Sequence, residues 1–246
     1  MQVLRINNIR KTYYSKRKIT TEALKGVSFA IEDKEMVAIM GSSGSGKTTL
    51  MNILTGLLEP DDGEIIIGDE DLLTMPKDRL ALLRRKHIGI VFQNYNLLDS
   101  LTVRENIEVP LILDYYDGDK EDKVRKVAAF MGMEQQLDKY PYEISGGQQQ
   151  RVGICRAIIN NAKVIFADEP TGNLDSKSSK KVMEYFQMVC KEMGTSILLV
   201  THDPVIASYC NRVLFIQDGK IENEIVKEKG ENMYEKIIEA QRGILQ

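Results

Sequence analysis

Three features of the sequence predict an α/β fold. Short apolar runs alternate with helical patterns in both halves of the chain. A glycine-rich turn joins one of those runs to a helix. A middle stretch, from about 100 to 160, carries helical signals and almost no strand signals. Alternating strands and helices suit a parallel sheet, and the helical middle suits an insert between two of its strands.

The elements follow in order. Residues 35–40, EMVAIM, form an apolar run that reads as a buried parallel strand. GSSGSG follows, and residues 47–58, KTTLMNILTGLL, read as a helix. EPDDGEIII supplies a turn and then a strand. Residues 76–86, PKDRLALLRRK, read as an amphipathic helix opened by Pro76, and HIGIVFQ as the next strand. TVRE, 102–105, has the spacing of a capping box, and helices are predicted over 120–131 and 147–160. VIFAD, 164–168, is a strand, and SSKKVMEYFQMVCKEM, 178–193, a helix. A strand over 197–201 precedes Asp203-Pro204, which caps a short helix. VLFIQ and KIENE pair through an Asp-Gly hairpin turn. Residues 226–246 form a charged, helical tail, and no internal repeat or low-complexity segment interrupts the chain.

Composition narrows the classes. A length of 246 residues suits one large α/β domain, or one domain with a sizeable insert. Hydrophobic residues make up 43% and charged ones 28%, an ordinary soluble balance. A net charge of −3 gives no global field that would attract nucleic acid, so no nucleic-acid partner is expected. The basic run Lys16-Arg17-Lys18 reads as a solvated loop. Cys155, Cys190 and Cys210 lack CxxC spacing, which argues against a disulfide framework or a zinc site and fits a reducing cytosol. MQVLRINNIRK lacks a signal-peptide run, and no apolar stretch approaches the ~18 residues that span a bilayer. Any membrane-embedded part is expected on another chain.

The glycine-rich turn carries the chemistry. Gly41, Gly46, Lys47 and Thr48 match G-x-x-x-x-G-K-[ST] between a strand and a helix, the context of a phosphate-binding loop. Successive backbone N–H groups of Gly41, Ser42, Ser43, Gly44, Ser45 and Gly46 can turn inward around a phosphate, and the helix start adds unpaired donors. Lys47 would reach the β- and γ-phosphates, the Thr48 hydroxyl would ligate Mg²⁺, and Thr49 would bond the α-phosphate. VIFADE delivers Asp168 at the C-terminal end of a strand, where ligands of open α/β sheets collect. Asp168 would hold Mg²⁺ through its water shell, and Glu169 is placed to polarise an attacking water.

One further segment separates the many users of such loops. ISGGQQQR, 144–151, resembles the signature motif of ABC ATPases. GSSGSGKTT, Gln93, ISGGQ, VIFADEPTGNLD and His202, in that order, resemble the whole motif set of the family over roughly residues 1–225. The resemblance implies a P-loop, RecA-like ABC ATPase core with an antiparallel β subdomain and an inserted α-helical subdomain. The core would span 1–93 and 160–225, the insert about 94–159, with the tail outside. ATP and Mg²⁺ are the cofactors implied.

Roles follow by position. Tyr13, with Tyr14 as rival, would stack on adenine. Gln93 would sense Mg²⁺ and the γ-phosphate and join core to insert. Ser145, Gly146, Gly147 and Gln148 would bind the γ-phosphate of ATP held by a second copy, and Asp175 would lie across that interface. His202 would contact the γ-phosphate and orient Glu169 and water. The signature is not expected to reach its own P-loop, so the resemblance implies a homodimer with two ATP between the copies. Ile144 stands where Leu is common, Thr48 where Ser is frequent, and Gly153 and Cys155 where Ala is frequent; none is expected to cost activity.

QNYNLLDSLTVRENIEVPL, YEISGGQQQRV and ADEPTGNLDS resemble the ATPases of lipoprotein-release, macrolide-efflux, cell-division and antimicrobial-peptide-resistance systems. In these a permease transmits force. Residues 94–101, opening with Asn94 and closing with Leu101, would form part of the groove for its coupling helix. Overall resemblance leans to peptide-antibiotic resistance in a Gram-positive bacterium, with the chain peripheral on the cytoplasmic face of the membrane. Lipoprotein release, and cell-division-type signalling with no transported substrate, remain alternatives. Action on DNA or ribosomes would call for paired nucleotide domains or a long coiled coil, and neither is present.

Overall fold

A computed structural model of the chain describes residues 1–14, 20–228 and 230–244. The basic run at 16–18 lies outside the described residues. Strands β1 (Gln2–Tyr14) and β2 (Thr20–Glu32) open the chain, followed by β3 (Met36–Met40), helix α1 (Lys47–Leu54), β4 (Asp62–Ile67) and β5 (Glu70–Asp71). Next come α2 (Lys77–His87), β6 (Ile88–Phe92), α3 (Val103–Leu113), α4 (Lys120–Phe130) and α5 (Gly146–Ile158). The chain ends with β7 (Val164–Asp168), α6 (Ser176–Met188), β8 (Ser196–Val200), α7 (Pro204–Ala207), β9 (Arg212–Gln217), β10 (Lys220–Val226) and α8 (Met233–Ile244).

Two sheets result. One is four-stranded, in the order β2-β1-β4-β5, and antiparallel throughout. The other is six-stranded, in the order β10-β9-β3-β8-β7-β6, and parallel except for β10. Strand β3 shows why its sequence is apolar at every position. Val37 and Ile39 face a core shared with the antiparallel sheet, α1 and α2, while Met36, Ala38 and Met40 face the core built by α3 to α8. A parallel strand covered on both faces has no solvent side to mark with polar residues.

Between β6 and β7 the described elements are all helical, as expected. Thr102 and Glu105 form the reciprocal cap at the start of α3: Thr102 N–H donates to Glu105 Oε2 at 2.7 Å, and Glu105 N–H to Thr102 Oγ1 at 3.3 Å. The hairpin between β9 and β10 turns at Asp218 and Gly219, with φ of 47° and 80°, the paired positive values of a type I′ turn.

Helix α1 and strands β1 and β2 differ from expectation. Helix α1 ends at Leu54 and does not continue to 58. Gly56 takes a left-handed φ of 68°, and the N–H groups of Leu57 and Leu58 both turn back to Asn52 O, closing the helix. The residues alone did not indicate β1 and β2. Alternation in β1 breaks where register shifts between Ile6 and Ile9 and Asn8 takes a φ of 50°.

Candidate active site

Four neighbouring strand ends assemble the site. In the order β3-β8-β7-β6, their C-terminal exits carry the glycine-rich loop, His202, Asp168-Glu169 and Gln93. The register aligns them: Ile39 pairs with Val200, Val200 with Asp168, and Asp168 with Phe92. Residues distant in sequence therefore leave the sheet side by side, at the edge where open α/β sheets bind ligands.

The loop between β3 and α1 is fixed by close approach and by its neighbours. Gly46 sits at φ 108°, a value closed to other residues, and a Cβ there would lie 2.6 Å from Ala23 O. Gly219 N–H donates to Ser45 O at 3.1 Å, so the β9–β10 turn braces the loop. Gly41 leaves no room at all: a Cβ would collide with the carbonyl oxygen of Ile216. Gly41→Ala is therefore expected to destabilise the fold by about 3 kcal/mol, lowering the midpoint of a thermal melt by about 6–12 °C. An unchanged midpoint would mean that the loop is not held at this spacing.

A cleft of about 390 Å³ opens over the loop, lined by Gly41, Ser43, Gly44, Gly46, Lys47, Thr48, Thr49, Glu169 and His202, with Ala23. Lys47 Nζ donates to Gly41 O at 2.8 Å and Ser42 O at 2.7 Å. Burial holds its ammonium below the ordinary lysine value, against the pull of Glu169 and Asp168. Burial also raises the Asp168 carboxyl, with Glu169 beside it adding and Lys47 opposing. Ser45 Oγ is buried and has no hydrogen-bond partner. A bare-backbone cradle and a lysine fit a polyphosphate; the Ser45 hydroxyl is buried behind the loop and does not line the cleft.

Glu169 has a φ of 45°, rare for a residue with a side chain, and its N–H is tied to Val200 O at 3.0 Å. Its Oε1 lies 2.8 Å from His202 Nδ1. Tyr13 and Tyr14 separate by geometry. The Tyr13 hydroxyl lies 3.5 Å from Thr49 Oγ1, beside the cleft, whereas Tyr14 is 79% exposed. Among the described residues no group of three or more His, Cys, Asp and Glu side chains gathers to hold a metal by itself. One carboxylate, Asp168, with the Thr48 hydroxyl and the Gln93 amide, are hard oxygen donors of the kind Mg²⁺ shares with phosphates.

The remaining residues lie elsewhere. Ser145 caps α5: its N–H donates to Gln148 Oε1 at 2.9 Å, and Gln148 N–H returns to Ser145 Oγ at 3.4 Å. Gly146 abuts Tyr95 and Leu174, and Gly147 abuts Ser178. None of Ser145 to Gln148 lines the phosphate cleft. Asp175 caps α6, accepting from the N–H groups of Lys177 and Ser178, both at 3.0 Å.

A second cleft, of about 310 Å³, runs between β6, α3 and α5, lined by Arg85, Phe92, Asn96, Val109, Leu113 and Arg156 among others. Asn96 is the member of 94–101 that lines it. Buried Asn106 holds Leu98 N–H at 2.8 Å and Leu98 O at 3.0 Å, drawing the rest of that segment onto α3. Strand β6 supplies Ile88, Gly89, Ile90 and Phe92 to the cleft's lining and α3 supplies Val109, Pro110 and Leu113, none of which sequence reasoning singled out. Among the described residues no helix is long and apolar enough to cross a membrane.

Comparison with known proteins gives the family. The model of the ABC transporter family matches residues 24–172, more than half of the chain. The ABC transporter ATP-binding protein YxdL of Bacillus subtilis (strain 168) is 48% identical over 241 residues, 96% of this chain and 92% of that protein. Bacitracin export ATP-binding protein BceA of Halalkalibacterium halodurans is 44% identical over 248 residues, 100% of this chain and 97% of that protein. A solved dimeric structure of the ATP-binding cassette MJ0796, in a post-hydrolysis state bound to ADP and Pi, matches with a TM-score of 0.82 at 37% identity. It covers 91% of this chain and 98% of that one. The chain thus belongs to the ATP-binding proteins of the ABC transporter family and is an ATP hydrolase.

Proposed function

We propose that two copies of the chain close head to tail around two ATP and that this closure drives a separate membrane permease. The observation that carries the reading is the split between the phosphate cleft and the signature. Lys47, Thr48, Glu169 and His202 line the cleft, whereas Ser145, Gly146, Gly147 and Gln148 stand at another helix tip. A capped helix start with small residues is an anion site, and a second copy brings it to the γ-phosphate. That the similar cassette MJ0796 was solved as a dimer bound to ADP and Pi supports dimerisation.

In this reading the loop N–H groups from Gly41 to Gly46 and the Lys47 ammonium bind the phosphates, and Tyr13 stacks on adenine. Thr49 bonds the α-phosphate. Thr48, Asp168 and Gln93 hold Mg²⁺, which neutralises phosphate charge when bound. Glu169 polarises the attacking water, and His202 orients Glu169 from its 2.8 Å contact. Asp175 faces the partner copy. The cleft beside Asn96 takes a cytoplasmic element of the permease, which keeps the chain on the inner face of the membrane. Similarity to BceA favours a system for peptide antibiotics.

Ser145→Arg tests the sandwich. Ser145 is exposed, so the arginine projects outward and the fold survives at a cost of about 1 kcal/mol for the lost cap. ATP-dependent dimers disappear in light scattering, while ATP binding to the monomer is unchanged. A variant that dimerises normally removes the signature from the interface.

A further inference from the structure

Asn173 lies in the turn between Glu169 and Asp175, and sequence reasoning gave it no role. Its side chain makes three hydrogen bonds to the loop that follows β6. Asn173 Nδ2 donates to Gln93 O at 3.2 Å and to Asn94 Oδ1 at 2.8 Å, and Asn173 Oδ1 accepts from Gln93 Nε2 at 3.3 Å. The Gln93 amide rests on Gly172, where a Cβ would sit 2.6 Å from Nε2. So placed, Gln93 does not line the phosphate cleft. Beyond it, Tyr95 and Asn96 take left-handed φ values of 60° and 49°, and Arg156 holds their carbonyls at 3.0 and 2.6 Å. The loop is therefore clamped at both ends, by Arg156 from α5 and by Asn173 from the turn that carries Glu169.

We propose that Asn173 is a positioning residue that holds Gln93 against Gly172, so that Gln93 reaches the phosphate cleft only when this amide pair opens. The inference rests on the reading of Gln93 as a Mg²⁺ ligand given above. It ties the permease-side loop to the turn between Glu169 and Asp175: a pull on Asn94 or Asn96 reaches Asn173, and a shift of the turn reaches Gln93. One exposed side chain thereby sets a threshold for productive nucleotide binding.

The test compares Asn173→Ala with Asn173→Asp. Asn173 is exposed, so both variants keep the fold. In protein without added nucleotide, amide hydrogen exchange at 93–97 is expected to quicken about tenfold in Asn173→Ala, with α5 and β7 unmoved. Mg-ATP binding should tighten about fivefold in the same variant, because no amide pair has to open first. Asn173→Asp keeps an acceptor for Gln93 Nε2 and should not tighten it. A merely structural role would shift both variants in the same direction. Unchanged exchange in Asn173→Ala, or equal weakening of Mg-ATP in both variants, overturns the proposal. Gln93→Ala separates the underlying reading: if it leaves Mg-ATP affinity unchanged, Gln93 is no metal ligand, while the exchange result still decides the Asn173 pair.

Discussion

Glu169→Gln is expected to lower the steady-state rate of ATP hydrolysis by about a thousandfold and to leave ATP-bound dimers that persist long enough to isolate. The substitution is nearly isosteric. Its amide oxygen can still meet His202 Nδ1, 2.8 Å away in the parent. What it loses is the negative charge that draws a proton from water, and a positioned base contributes about 10²–10⁴-fold. The backbone supports this role. Glu169 is held at φ 45° by its own N–H on Val200 O and by Gly172 N–H on its carbonyl, both at 3.0 Å. Such a conformation costs about 1–3 kcal/mol and persists only where neighbours enforce it. No phosphate contact is removed, so ATP binding survives and the closed dimer cannot reopen by hydrolysis. Phosphate release and light scattering with ATP report the two halves separately. A variant that is inactive yet monomeric with ATP keeps the base and sinks the sandwich.

Much of this site was legible because its strands are buried on both faces. MVAIM and VIFA are continuous apolar runs, and each is followed by residues too small or too acidic for a core, which points to the sheet edge. Distance in the chain hid the rest. Asn173 reads as one polar residue in an exposed turn. It meets Gln93 only because Phe92 and Asp168 are register partners in adjacent strands. Of the antiparallel sheet, β4 was legible but β1 and β2 were not: the bulge at Asn8 shifts β1 out of period and puts buried Ile9 out of phase with Leu4 and Ile6. The resemblance to ABC ATPases, and not periodicity, supplied that expectation.

Lys47→Ala carries the second large effect, an expected loss of about a hundredfold in ATP affinity. Charge-assisted hydrogen bonds contribute about 1.5–3 kcal/mol each, and about 1.4 kcal/mol corresponds to a tenfold change. The ammonium is held by Gly41 O and Ser42 O at the mouth of the loop, and burial has already removed part of its hydration. Its exchange of those carbonyls for phosphate oxygens therefore costs less than drawing a fully hydrated ion out of water. Lys47→Arg gives the contrast: charge is retained, but a planar fork replaces a compact point donor among carbonyls spaced for one nitrogen, so affinity should remain well below the parent. Titration with a fluorescent ATP analogue measures all three proteins, and a thermal melt guards against misfolding. Lys47 is not part of either hydrophobic core, so the midpoint should move little. If Lys47→Ala binds ATP as the parent does while keeping that midpoint, the glycine-rich turn is a structural bend and the nucleotide lies elsewhere on the sheet edge.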